Sequence, residues 1–188
     1  MPINNLIRLE PFTRADFQRL IHWVPDEEFM VLWSGVFFTF PVDERQLEAS
    51  LAGTFGDHPV RKTYKAVMNI DNQVVGHIEL NNIDYRNKAA MLSKVLVGEP
   101  KLRGKGVGEA MVNQLMRIAF EDLKLHRVDL RVFDFNHSAV NCYLRCGFQK
   151  EGLIRDFRKV GDQYWNSYIM SILEDEWRAL NPALNPEA

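Results

Sequence analysis

The sequence predicts one α/β domain of the α+β kind, a central sheet flanked by helices, and three observations predict it. Short runs with strand-type alternation recur along the chain, separated by glycine, proline and asparagine turns. Helical stripes stand between several of them, the clearest at Met111, Leu115 and Ile118. One strand, Ala89–Val97, leads through a basic glycine-rich turn, Lys101–Gly108, straight into that helix. The 188 residues suffice for one core without staples. No repeat, low-complexity tract or linker divides them, so the expected domain is 1–188, with a flexible tail from about residue 181.

Taken in order, Ile7–Glu10 alternates as a first short strand. Thr13 followed three residues later by Asp16 has the form of a capped helix start, and Phe17, Leu20 and Ile21 continue it until Pro25. Residues 23–40 are crowded with aromatic rings (Trp23, Phe29, Trp33, Phe37, Phe38, Phe40), which suit core packing, a cleft wall, or both. Asp43 opens a helix to about Leu51. Strands Tyr64–Ile70 and Gln73–Leu80 follow, joined by a two-residue Asp71-Asn72 hairpin turn. In the second, alternation places Val75, His77 and Glu79 on one face and Val74, Gly76, Ile78 and Leu80 on the other. Asn81–Asn87 reads as a polar connection to Ala89–Val97. Beyond the helix after the glycine turn, which ends near Lys124, His126–Phe133 is a strand. Asn136 caps a helix over Ser138–Arg145, and Gly147 takes the left-handed position that ends it. Gln149–Ile154 and Trp165–Leu173 form a closing pair of strands.

Composition narrows the function. Hydrophobic residues are 46% and charged residues 26% of the chain, and the net charge is −2, so neither non-specific nucleic-acid binding nor an anionic membrane surface is expected. No apolar run approaches ~20 residues and no leader is evident, which gives the expectation of a cytoplasmic protein. Cys142 and Cys146, four apart on a helix, read as two reduced thiols in or near the core, and no metal set is expected.

Strand, glycine turn and helix together make an anion site: free N–H groups and the positive dipole end of the helix converge where glycines let a ligand approach. The turn is not a P-loop, because Lys105 is followed by Gly106 rather than Ser or Thr. It is not a dinucleotide fingerprint, because either register meets Glu109 or Met111 where the third glycine belongs. Arg103, Gly106 and Gly108 do fit Arg-x-x-Gly-x-Gly, which resembles the acetyl-CoA pyrophosphate loop of the GNAT N-acetyltransferases. About thirty residues on, Asn136-His-Ser-Ala139-Val-Asn-Cys-Tyr143 through Gly147-Phe148 is similar to the second signature of that superfamily. The opening Ile-Arg-Leu-Glu-Pro-Phe, Glu151-Gly152 and Met170–Leu173 resemble its RimJ/RimL-like branch, which acetylates ribosomal-protein N-termini, spermidine and similar amines.

The resemblance covers residues 6 to 173. It implies a GNAT fold: a mixed, mostly antiparallel sheet of about seven strands, splayed at one place to hold the cofactor. It implies an acetyl-CoA-dependent N-acetyltransferase. The backbone of Arg103, Gly104, Lys105, Gly106, Val107 and Gly108 would bind the pyrophosphate, with Arg103 and Lys105 adding charge. Val95, Leu96 and Val97 would pair with the pantetheine arm as an added strand does, and Asn136 would contact the cofactor by its side chain. Tyr143 takes the position of the general acid for the leaving thiolate, and a backbone N–H near Leu96 or Val97 would meet the oxyanion. The glutamate that some relatives carry five residues before the asparagine is here Arg131, which leaves Glu79 and His77 as candidate bases. The expected acceptor is a primary amine, either a protein N-terminus, a polyamine or another small amine, and the chain is expected as a monomer or homodimer. The alternatives are a catalytically inactive CoA-binding sensor or interaction module and an aminoglycoside-type acetyltransferase.

Overall fold

The computed structural model describes residues 6–182, so the tail from residue 183 and the first five residues lie outside the described part. Seven strands form one sheet in the order β1-β2-β3-β4-β5-β7-β6. They are β1 (Ile7–Pro11), β2 (Lys62–Met68), β3 (Val74–Asp84), β4 (Ala89–Val97), β5 (Arg127–Phe133), β6 (Gln149–Val160) and β7 (Gln163–Leu173). Every neighbouring pair is antiparallel except β4 and β5, which run parallel. The parallel step needs a crossover, and α4 (Val107–Arg117), prolonged by a π turn over Ile118–Asp122, supplies it.

The helices divide between the two faces. Buried Ala110, Met111, Leu115 and Met116 of α4, Val140 and Tyr143 of α5 (His137–Arg145) and Trp177 of α6 (Glu174–Leu180) pack on one face with Ile78, Leu80, Leu92 and Leu130. On the other face α1 (Phe17–His22), α2 (Glu27–Ser34) and α3 (Glu44–Leu51) bring Phe17, Leu20, Met30, Trp33 and Leu47 together with Phe12, Phe38 and Leu96. The expected caps form. The Asp16 carboxylate accepts from the Thr13 N–H at 3.1 Å, Asp43 from Gln46 N–H at 2.8 Å, and Asn136 from Ala139 N–H at 3.2 Å.

The strands depart from the sequence reading in four places. β2 stops at Met68, and the connection is the five-residue stretch 69–73, with Asn72 in a left-handed conformation at φ +58°, rather than a two-residue turn. β3 continues to Asp84, because Asn81 and Asp84 still pair with β4, so the polar connection is shorter than expected. Val75 does not share a face with His77 and Glu79. A register shift opposite Ala66 and Val67 makes it a bulge, and it packs with Ile78 and Leu80. The final strands are longer than their apolar cores, and α6 follows them, its Leu173 N–H bonded to Glu176 at 2.9 Å.

Candidate active site

The site is organised by a fork in the sheet. β4 and β5 pair only at Ala89–Arg127, Ala90–Val128 and Met91–Asp129, although β4 runs on to Val97 and β5 to Phe133. Beyond Met91 the backbone edge of β4 that would face β5 is open to a ligand.

A bulge shapes the same stretch. His77 of β3 pairs with Leu96 and Glu79 with Ser93, so Lys94 and Val95 together oppose Ile78 alone, and Lys94 takes φ +51°. The phase of the strand changes there. Ala90 and Leu92 belong to the core beneath α4, whereas Leu96 belongs to the aromatic cluster on the opposite face.

At the end of β4 the chain turns through Lys101–Gly106 into α4. Gly104 and Gly106 hold φ +71° and +82°, a left-handed region that residues with a Cβ reach only with strain, and Gly106 is the N-cap. The first-turn N–H groups of Val107, Gly108 and Glu109 have no partner within the helix. The Arg103 guanidinium ties the turn to the strand, donating from Nε to the Val97 carbonyl at 3.1 Å, and it lies 5.7 Å from the centre of the Phe29 ring.

Two cavities meet at the fork. The first, about 340 Å³, is lined by Val95, Leu96, Val97, Arg103, Gly104, Gly106, Gly108, Asn136 and Tyr143, together with Phe29, Cys142 and others. Lys105 is not in its wall, and the Lys105 and Arg103 N–H groups already donate to the Leu102 and Pro100 carbonyls at 3.4 and 3.1 Å. The Val107 side chain is buried in the core below, so Val107 can offer only its N–H group. The second, about 420 Å³, opens on the other side of the fork among Trp33, Phe37, Lys94, Arg131, Phe133, Phe157, Arg158 and Ser167. Val95, Asn136, Ala139, Tyr143, Leu32 and Trp33 line both. Tyr143 therefore stands at the seam. Burial, helped by the neighbouring Cys142 and Cys146 sulfurs, pushes its phenol well above the usual value near 10, so it stays protonated. Both cysteines are free thiols, Cys146 buried and Cys142 at the wall of the first cavity.

The two candidate bases lie elsewhere. The Glu79 side chain is fully buried between Lys94 Nζ and Arg61 Nε, each 3.0 Å away, and lines neither cavity. His77 is also buried outside both walls. Its ring meets Phe12 and Trp33 edge-on, and Nδ1–H donates to the Lys94 carbonyl at 3.1 Å. Burial pulls its pKa down to about 4. The geometry places both residues in the framework that holds the bulge, outside the walls of both cavities. The aromatic signal at 23–40 proves double: Trp23 and Phe38 are core, Phe29 and Phe37 wall the cavities, and Trp33 does both. Arg158, which sequence reasoning missed, carries no motif, and its placement depends on the long β6–β7 ribbon.

The acetyltransferase (GNAT) domain family matches residues 7–149. The chain belongs to the GNAT acetyltransferases. Within that family it falls in the RimJ/RimL-type branch. It is similar to the spermidine N(1)-acetyltransferase of Vibrio cholerae, 24% identical over 176 residues, spanning 93% of this chain and 97% of that protein. The spermidine N(1)-acetyltransferase of Escherichia coli K12 is 23% identical over 180 residues, spanning 95% of this chain and 92% of that protein. The crystal structure of spermidine N-acetyltransferase from Vibrio cholerae in complex with CoA and spermine superposes with a TM-score of 0.78 at 23% identity, covering 92% of this chain and 98% of that one. This likeness supports the seven-stranded GNAT fold. Acetyl-CoA is the acyl donor used by GNAT acetyltransferases. Among the described residues no helix is long and apolar enough to cross a membrane.

Proposed function

We propose that the chain transfers the acetyl group of acetyl-CoA to a primary amine by direct attack of the amine on the thioester. The observation that carries this reading is the meeting of two cavities at Tyr143, one bounded by a glycine anion cradle and the other without it. The residues fit the donor. Left-handed Gly104 and Gly106, the free first-turn N–H groups of α4 and the Arg103 charge suit a pyrophosphate, and the unpaired edge at Val95–Val97 suits an extended amide-bearing arm. Acetyl-CoA, when bound, supplies an acetyl group activated as a thioester.

The chain's own work is positioning and proton handling. Tyr143 Oη holds a proton at the seam and serves as the general acid for the departing sulfur. Trp33, Phe37 and Phe133 wall the second cavity and keep water from an amine held there. No carboxylate or imidazole is among the residues lining that cavity, so the amine must arrive neutral with little help. At neutral pH this costs about 1 kcal/mol for an amine of pKa near ~8 and ~4–5 kcal/mol for a lysine-like amine. An acceptor of low amine pKa is therefore favoured.

Saturating acetyl-CoA should raise the melting temperature, and Gly106→Glu should abolish the shift by straining the left-handed N-cap and placing a carboxylate in the anion cradle. An unfolding curve indifferent to acetyl-CoA would remove the donor from the proposal. Tyr143→Phe should lower turnover by about 10²-fold or more with cofactor affinity nearly unchanged, read by thiol release and calorimetry. Unaltered turnover would exclude Tyr143 as the acid.

A further inference from the structure

The second cavity is unusual in charge. Its wall carries three cationic side chains, Lys94, Arg131 and Arg158, and no aspartate or glutamate. Lys94 is already answered, since its ammonium lies 3.0 Å from Glu79 and over the Phe37 and Phe38 rings. The two arginines are different. Both guanidinium groups lie 5.1 Å from the centre of the same ring, Phe157, which brings them to one region of the wall from β5 and β6. Among the described residues neither forms an ion pair, and the Arg158 Nε is buried without a hydrogen-bond acceptor. The carboxylate two residues before Arg131 on the same strand, Asp129, lies 3.9 Å from Arg127 and attracts both arginines of its strand, but it is not in the wall.

A buried N–H donor without an acceptor is costly, and two cations sharing one ring repel each other. A compact anion bound beside them relieves both terms. A guanidinium fork matches a carboxylate or phosphate in two parallel hydrogen bonds. A polyamine would meet the opposite situation, several ammonium groups facing two guanidinium groups with no carboxylate in the wall to answer them.

We propose that the acceptor is a small primary amine that also carries an anionic group, carboxylate or phosphate, and that Arg131 and Arg158 bind this group in the second cavity. The inference rests on the acetyltransferase reading of the site. It also bears on the missing base. An anionic group on the acceptor stabilises its ammonium form, and pairing that group with the two arginines removes much of this penalty.

The test compares matched amines: L-alanine with L-alaninamide, phosphoethanolamine with ethanolamine, and spermidine as the polycation. The anionic member of at least one pair should exceed its neutral partner and spermidine by about tenfold or more in kcat/KM. The carboxylate and phosphate arms tell which anion is preferred. Arg131→Gln and Arg158→Gln should each cut the preference to within about threefold, and Arg131→Lys should restore part of it. Arg131 is exposed on its strand, so its variants should fold even if Arg158→Gln is impaired. A binding arm needs no turnover: calorimetry with N-acetyl-L-alanine and its primary amide should show the same Arg131-dependent preference. Preference for spermidine or the neutral amines, or an anionic preference unchanged in Arg131→Gln, overturns the inference. If no amine is acetylated while N-acetyl-L-alanine still binds through Arg131, the anion site stands and the transfer reading falls.

Discussion

Glu79 lies between Arg61 and Lys94 with 3.0 Å to each and no exposed side-chain surface. Its partners differ in burial, the Arg61 side chain being 17% exposed. The Lys94 side chain is 1% exposed, and burial lowers its pKa against the opposing pull of Glu79. An ion pair of this kind adds little over an apolar core, but removing one member strands the others. Glu79→Gln should therefore destabilise the fold by about 3–5 kcal/mol, read as a shifted urea midpoint. Were Glu79 instead a solvated catalytic base, the same substitution would leave the midpoint in place and remove activity alone. The position looked like a candidate base because strand alternation put it beside His77, and alternation carries no information about which cations lie across the sheet.

At the scale of elements, α5 shows how a local signal and a site coincide. Asn136 caps the helix through Ala139 N–H, Gly147 closes it at φ +93°, and Tyr143 lies on the buried face between them. Asn136→Ala should cost about 1 kcal/mol in stability through the lost cap. It should also weaken acetyl-CoA binding, because the side chain lines both cavities; a change in stability with no change in cofactor affinity would confine Asn136 to capping. β4 behaves differently. Its nine residues alternate in burial from end to end, and alternation alone would put Ala90, Leu92, Lys94 and Leu96 on one face. The bulge at Lys94 interrupts that phase and sends Leu96 to the aromatic cluster, leaving Val95 and Val97 toward the core beneath α4.

Across the whole molecule, the two cores on opposite faces of the sheet meet different electrostatic demands. The aromatic side encloses His77, whose pKa burial pulls from 6.5 to about 4. In the unfolded chain this ring takes a proton near pH 6.5, and in the folded protein only near 4. Between those values the unfolded state binds more protons, so the contribution is complete above pH 6.5 and is lost as pH falls toward 4. Its part of the stability should decline by roughly 2 kcal/mol from pH 7 to pH 5, checked by denaturant titration at both values. An NMR titration in which the His77 ring protonates near its ordinary pKa would contradict its burial.

Much of this was legible in the chain. Hydrophobic period fixes local structure, so strands, capped helices and the glycine turn were readable, and Arg103–Gly108 with Asn136–Phe148 pointed to the GNAT family. Those features depend on neighbours within a few residues, where backbone sterics and capping act. The helix over 174–180 was not read, because its start follows directly on the last strand without a turn. Only the tertiary structure decided where β4 parts from β5, which cations bury Glu79, and that Arg131 and Arg158 converge on Phe157. Each is set by strand register and packing between segments far apart in sequence. A bulge of one residue reverses a face, and a buried charge takes its role from whichever partner the fold brings to it.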